Sequence, residues 1–329
     1  MSDSATHPVS VRRITLPDSS VMVDDVTASE EPLEIRVEGR SVAVVMRTPG
    51  HDEELVAGFL VSEGVIKSAR DILEISQCPS VGNVHGNVVD VLLGGAIVNW
   101  DNLTRHVFSA SSCGICGKTS IESVFQSFPP LLSGTEQAVE DVKSSPCSVF
   151  SAQSSAGGTA SETKHSPLNT KHSAPAFAVS PELITTLPAK LRAAQETFSQ
   201  TGGLHASAIF NEHGEMLVLR EDVGRHNALD KVLGHGLQNS LLPYSRHILL
   251  VSGRVSFELM QKALAAGVPI VAAISAPSSL AVQFAQDSGQ TLIGFLRGQT
   301  MNVYTHPERI SEREYGAAYS PDSPGALKA

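Results

Sequence analysis

The sequence predicts an α/β protein: a small α+β portion first, then an α/β domain. Three observations predict it. Strands and helices alternate with short joints from His247 to Phe295, which implies parallel strands covered by helices. Short β-rich runs around a Gly turn fill the first 110 residues. Between the two lies a stretch rich in Ser, Thr, Ala, Pro and Gly. The 329 residues suit two domains, and 41% hydrophobic against 18% charged residues provides for a sizeable core.

In chain order, residues 1–9 are expected as a disordered tail and residues 10–132 as the N-terminal α+β domain. Val9 to Met22 includes a strand, and Leu33–Val37 with Ser41–Met46 forms a hairpin around Glu38-Gly39-Arg40. Leu55, Val56, Phe59 and Leu60 then recur at helical spacing. Asp52, Glu53 and Glu54 suit the positive end of that helix, and Gly64 caps it. Ile72–Ile75, Val88–Leu93 and Arg105–Ser109 read as strands, and Thr119 to Phe128 as a helix.

Residues 133–180 form a Ser-rich linker, poor in large apolar side chains and unable to offset the entropy of ordering. Residues 181–310 are the α/β domain. Leu183–Thr201 is a helix entering Gly202-Gly203, and Leu204–Phe210 pairs with Glu215–Arg220 around Asn211-Glu212-His213-Gly214. Residues 225–234 form a helix. Strand His247–Val251, helix Ser256–Ala266, strand Val268–Ile274, helix Ser278–Asp287 and strand Thr291–Phe295 follow. Residues 311–329 form a frayed tail.

The charge excludes some functions. Lys plus Arg is 24 and Asp plus Glu is 34, a net charge of −10. Nucleic-acid binding needs clustered cations to neutralise phosphates, and anionic membranes need a polybasic stretch; neither pattern is present. No apolar run approaches membrane-spanning length, and Met1 to Ser10 lacks an apolar signal core. The expectation is a cytoplasmic protein with no nucleic-acid or membrane partner.

Four cysteines are too sparse for a disulfide scaffold. Cys78 and Cys147 look unrelated to chemistry, whereas Cys113 and Cys116 form a Cys-x-x-Cys flanked by Gly114 and Gly117. The glycines leave sulfur accessible, and a helix following the pair lowers a thiol pKa. Such a pair serves as a redox couple, half a zinc site or a sulfur carrier. Zinc needs two further ligands, and neither a second Cys-x-x-Cys nor a His pair at finger spacing supplies them.

Other segments suit anion binding. His205 follows Gly202-Gly203, where it orients a thiol or a phosphate, or is a satisfied strand histidine. Arg220 to Lys231 holds eight polar or charged residues in twelve, and Arg225, His226 and Asn227 fall at a helix start that favours an anion. The bland alternative is a solvated face capped by Asp222. Ser252-Gly253-Arg254 and Ser275 to Ser278 are strand-to-helix joints suited to phosphate or nucleotide recognition, although Ser is also the ordinary N-cap. Phe295, Leu296, Arg297, Gly298, Gln299 and Thr300 follow the last strand and add a cation. Leu259, Met260, Ala263 and Leu264 have helical core spacing. His235, His247 and His306 have no partner assignable from sequence.

With these residues in view, the chain resembles the FdhD family of formate dehydrogenase accessory sulfurtransferases. The resemblance is carried by Thr48-Pro-Gly-His-Asp-Glu-Glu-Leu, Gly58-Phe-Leu-Val-Ser-Glu-Gly and Ser112-Cys-Gly-Ile-Cys-Gly. It continues in Thr201-Gly-Gly-Leu-His-Ala, Glu221-Asp-Val-Gly-Arg-His-Asn-Ala-Leu-Asp-Lys, Ser252-Gly-Arg-Val-Ser-Phe-Glu and Val303-Tyr-Thr-His-Pro-Glu-Arg. It implies a sulfur carrier that accepts sulfur from an IscS-type cysteine desulfurase as a cysteine persulfide. Transfer would follow to the molybdenum or tungsten bis-molybdopterin guanine dinucleotide cofactor destined for formate dehydrogenase. It further implies a homodimer, guanine nucleotide as a mimic of the client, and a C-terminal domain resembling the cytidine-deaminase fold. The Ser-rich stretch is longer than the family pattern requires. Deaminase chemistry is disfavoured because His205-Ala206-Ser207 lacks the carboxylate that a zinc deaminase needs. The rival reading is a cofactor-binding chaperone or scaffold whose Cys-x-x-Cys is a zinc or redox site.

Overall fold

The computed structural model describes residues 4–17, 19–77, 87–95, 98, 100, 128–131 and 177–310. The expected strand Arg105–Ser109, the cysteines at 78, 113, 116 and 147 and nearly all of the expected helix from Thr119 lie outside the described residues. So do the tail from residue 311 and most of the Ser-rich segment.

Strands β1 (Thr6–Thr15) and β2 (Ser19–Ala28) pair antiparallel as a hairpin. This corrects the expected tail of residues 1–9, because Thr6 pairs with Ala28 and Val9 with Asp25. Next, β3 (Glu31–Val37), β4 (Arg40–Arg47), β5 (Ile72–Gln77) and β6 (Val88–Leu93) form one sheet, ordered β4-β3-β6-β5. The β3–β4 turn is two residues, Glu38-Gly39, both at positive φ (51° and 73°), the twist that matches a hairpin. Leu33, Ile35 and Val37 are fully buried, while Glu34 and Arg36 between them pair at 2.9 Å. That alternation gives the sheet one buried face, which helix α1 (Asp52–Ser62) covers with Leu55, Val56 and Leu60.

The larger sheet contains β7 (His205–Asn211), β8 (Met216–Asp222), β9 (His247–Val251), β10 (Ile270–Ala273), β11 (Thr291–Arg297) and β12 (Thr300–Thr305). Its order is β12-β11-β10-β9-β7-β8. Strands β9, β10 and β11 are parallel, and β7, β8 and β12 pair antiparallel with their neighbours. The α/β class is as predicted, with a mixed sheet.

Helices α2 (Pro181–Ala194) and α3 (Glu196–Thr201) precede the sheet, and α4 (Arg225–Gln238), α5 (Phe257–Ala265) and α6 (Ser279–Ser288) alternate with its strands. One face of the sheet packs Leu249, Val271 and Leu292 against Leu229, Val232, Met260 and Phe284. The other packs Ile248, Leu250, Ile270 and Ile293 against Ile184, Leu187 and Leu191 of α2. Burial on both faces explains the unbroken apolar runs of β9 and β10.

Three boundaries differ from expectation. The helix expected over Leu183–Thr201 is two helices, broken at the buried Gln195. The linker expected to reach 180 ends earlier: Phe177 and Val179 are buried, Val179 bridges Ile310, and the Ser180 hydroxyl caps α2. Helix α4 continues beyond residue 234 to Gln238.

Helices α1 and α4 join the two halves. A Cβ on Gly58 would lie 1.8 Å from the Asp230 carbonyl oxygen, and one on Gly234 would lie 1.8 Å from that of Glu54. Both positions therefore require glycine, and the helix backbones touch there. Leu237 of α4 accordingly belongs to the N-terminal core.

A candidate anion site along one sheet edge

The sheet topology collects the segments singled out above. The C-terminal ends of β9, β10 and β11 lie on the same edge as the start of β7, because β7 runs antiparallel and Ser207 pairs with Val251. His205 pairs with Asp222, so the end of β8 and the start of α4 join that edge. At about 4.8 Å per strand, the line from β11 to β8 spans about 19 Å. Such an edge is where open α/β sheets bind ligands.

At one end, Arg297 Nε donates to the Ile274 carbonyl at 3.0 Å, and its guanidinium lies 5.8 Å from the Phe295 ring centroid. Phe295 has φ 51° and its N–H donates to the Ser275 carbonyl. Gly298 and Gln299 form the two-residue turn into β12, and only Gly298 needs positive φ (55°), which favours glycine there. Phe295, Arg297, Gly298, Gln299 and Thr300 are exposed. Leu296 differs: its side chain is fully buried in the core, so it presents only backbone to a ligand.

In the middle, Arg254 is exposed, and Ser252 Oγ accepts from the Ala206 N–H at 2.9 Å, which ties β9 to β7. Ser275 is half-buried. Ser278 takes the ordinary role weighed for it, capping α6 by accepting from the Ala281 N–H. At the other end, the absence of a side chain at Gly253 lets the His205 ring approach: a Cβ there would lie 3.2 Å from Nδ1 and 3.8 Å from the Arg225 Cβ. Burial lowers the His205 pKa, and Arg225 and His226 lower it further, which marks that corner as locally positive.

Asp222 is not the cap of a solvated face. It is fully buried and accepts from the Thr48 N–H (3.1 Å), the Gly224 N–H (2.8 Å), Asn227 Nδ2 (2.9 Å) and Lys231 Nζ (2.7 Å). Lys231 also donates to the Thr48 carbonyl, and Asn227 to that of Met46. Asn227 therefore belongs to the network supporting the edge, and its amide is already engaged. Arg225 and His226 immediately precede Asn227, at the start of α4.

Partners also emerge for two histidines left unassigned. His235 Nδ1 lies 3.0 Å from Glu54 Oε1, and Arg220 pairs with the same carboxylate. His306 pairs with Glu308. The ring of His247 packs edge-on against Tyr244, and its buried Nδ1 has no hydrogen-bond partner among the described residues. Glu258, the last residue of the Ser252-Gly-Arg-Val-Ser-Phe-Glu motif, lies 3.0 Å from His226 Nε2. Spacing along the sequence could not find the Glu54–His235 or His226–Glu258 pairs, because they meet only where helices pack, whereas His306 and Glu308 stand two positions apart.

A profile of the FdhD/NarQ family matches residues 28–145 and 133–311. The chain belongs to the FdhD/NarQ family. Among similar relatives named sulfur carrier protein FdhD, that of Streptomyces avermitilis is 46% identical over 297 residues, covering 89% of this chain and 92% of the relative. The Mycobacterium tuberculosis protein is 44% identical, covering 89% and 95%. The Sulfolobus acidocaldarius protein is 41% identical, covering 87% and 92%. A crystal structure from Desulfotalea psychrophila, described as a formate dehydrogenase accessory protein, shares the fold: TM-score 0.65 at 23% identity, covering 94% of this chain and all of that one. Among the described residues of this FdhD/NarQ member, no helix is long and apolar enough to cross a membrane.

Proposed function

We propose that this chain is a sulfur carrier that serves formate dehydrogenase. Its Cys113 thiolate attacks the outer sulfur of a persulfide on an IscS-type cysteine desulfurase. A new sulfur–sulfur bond forms at Cys113, the old one breaks, and the desulfurase thiolate leaves. Cys116 stands three residues further on and supplies the second thiol that releases the carried sulfur, closing a Cys113–Cys116 disulfide. The client is the molybdenum or tungsten bis-molybdopterin guanine dinucleotide cofactor, and the carrier works as a cytoplasmic homodimer.

The observation that carries this reading is the sheet edge. Arg225, Arg254 and Arg297 and the N-termini of α4, α5 and α6 belong to one edge, with exposed donors at Gly298, Gln299 and Thr300. A polyphosphate client needs such a local positive field, and an acidic protein can supply it without a basic surface. The similarity to relatives named sulfur carriers supports the transfer chemistry.

The test is intact-mass measurement after incubation with a desulfurase and cysteine. The chain should gain about 32 Da, one sulfur atom, and Cys113→Ala should not. An unchanged mass, or full loading of the Cys113→Ala variant, overturns the relay and leaves a chaperone.

A further inference from the structure

Strands β1 and β2 form a ribbon fixed to the body at its base. There the Ser29 N–H donates to the Ala5 carbonyl at 2.9 Å, the Thr48 hydroxyl donates to the Ser29 carbonyl, and Ala28 faces Gly203. Among the described residues no third strand joins the ribbon. Every described residue from Arg12 to Met22 is exposed. Ile14, Leu16, Val21 and Met22 are 65%, 84%, 53% and 65% exposed, four of the five most exposed large apolar side chains among the described residues. A two-stranded ribbon is marginal in water and is stabilised by further strands. An open apolar edge is a template for such pairing.

The charges of the ribbon divide by face. Residues paired across two strands share a face, so Arg13, Val21, Val23 and Asp25 lie on one and Arg12, Ser20, Met22 and Asp24 on the other. On the first face Arg13 lies 3.6 Å from Asp25, within the ribbon. On the second, Arg12 Nε donates to Ser20 Oγ at 2.7 Å, and Asp24 has no ion partner among the described residues.

The sequence of β2 is complementary to itself. Laid antiparallel on a second copy about a two-fold axis at Met22, it sets Met22 beside its own counterpart. Val21 then meets Val23, Ser20 meets Asp24 and Ser19 meets Asp25 of the other copy. Apolar groups oppose apolar groups, hydroxyls oppose carboxylates, and no like charges oppose each other. Arg12 already reaches over Ser20, and the other copy's Asp24 would stand about 5 Å across from that serine. An axis at Val23 would instead set Met22 against Asp24 and Val21 against Asp25. Joining through β1 would leave Val21 and Met22 on the outer edges.

We propose that the free edge of β2 docks a second copy of this chain, merging two ribbons into one four-stranded sheet in which Arg12 of each copy pairs with Asp24 of the other. This gives a surface to the homodimer of the reading above and rests on that reading only for the assembly being a pair. The sulfur chemistry is independent of it.

The test is sedimentation of the full chain over a concentration series, which yields the dimer Kd. Arg12→Asp and Asp24→Arg should each raise Kd about 10-fold or more, because each replaces two ion pairs by two like-charge contacts. Mixed one to one, the two variants should recover wild-type affinity, since each changed charge then faces its opposite. An ion pair confined to one ribbon gives no such recovery. Both positions are exposed, so the fold tolerates the changes. Met22→Cys under mild oxidation should link two copies through position 22, because Cα atoms beside the axis lie about 5 Å apart, within disulfide reach. A chain monomeric at every concentration, a dimer unmoved by the charge variants, a mixture no tighter than its parts or a missing crosslink at position 22 overturns the proposal and leaves the ribbon to a different protein. A missing gain of about 32 Da with desulfurase and cysteine indicts the sulfur relay instead, and the sedimentation result still decides the docking edge.

Discussion

Asp222 and Lys231 lie 2.7 Å apart with their side chains essentially sealed from solvent. One ends a strand and the other lies on the following helix, and together they grip the backbone of Thr48 from the N-terminal half. Removing one member of a buried pair leaves an uncompensated charge. Asp222→Ala should therefore cost about 3–5 kcal/mol in urea unfolding. A loss under about 1 kcal/mol would mean that Lys231 finds other compensation.

Gly58 permits the α1–α4 crossing. Its replacement by Ala would drive a methyl group to 1.8 Å from the Asp230 carbonyl oxygen, a contact only backbone movement can relieve. The expected cost is about 3 kcal/mol or more, read as a lower thermal midpoint. Gly39, where a Cβ meets nothing within 4 Å, provides the comparison. Its φ of 73° still strains an Ala, so Gly39→Ala should cost about 1 kcal/mol.

Glu54 ties the same two helices. Burial opposes its charge, but hydrogen bonds from Arg220 and His235 together with the charges of Arg220 and His51 hold the carboxyl below its usual range. A depressed folded-state pKa stabilises the fold fully above the unfolded value of about 4.3, and that contribution is lost as pH falls through the folded value. Wild-type stability should therefore fall on acidification below that point. Glu54→Gln should be less stable at neutral pH and show a shallower acid limb in unfolding titrations. Parallel limbs for the two proteins would rule the contribution out.

Arg297 stands exposed at the β11–β12 turn, held by one hydrogen bond to the Ile274 carbonyl. If the edge binds the client's phosphates, Arg297→Ala should weaken guanosine diphosphate binding about 10-fold, the worth of one charged hydrogen bond. Calorimetry at fixed ionic strength checks this, and an unchanged Kd removes Arg297 from the site.

Much of the fold was legible in the sequence because its signals are local. The 3.6-residue spacing of Leu55, Val56, Phe59 and Leu60 and the strand–helix alternation after His247 each mark an element without reference to the rest of the chain. Element ends were less legible. Gln195 breaks a helix although no Gly or Pro stands at the break, and Phe177 and Val179 lie in a Ser-rich context yet are buried, Val179 by a distant bridge to Ile310 and Phe177 by packing in the same core. The candidate site divides the same way. Phe295 to Thr300 and Arg225 to Asn227 were recognisable as polar joints, but Leu296 turned inward and Asn227 was taken by Asp222.

The sequence by itself determined the class of the fold, the segments able to meet an anion and the family to which they point, because residue chemistry, periodicity and motif order are all written along the chain. Only the tertiary structure decided that those segments share one edge, that Asp222 is a buried anchor and that Glu258 faces His226. Those relations depend on strand order and on the packing of helices, which bring together residues as far apart as Thr48 and Lys231, 183 positions along the chain, and no local pattern encodes such distances.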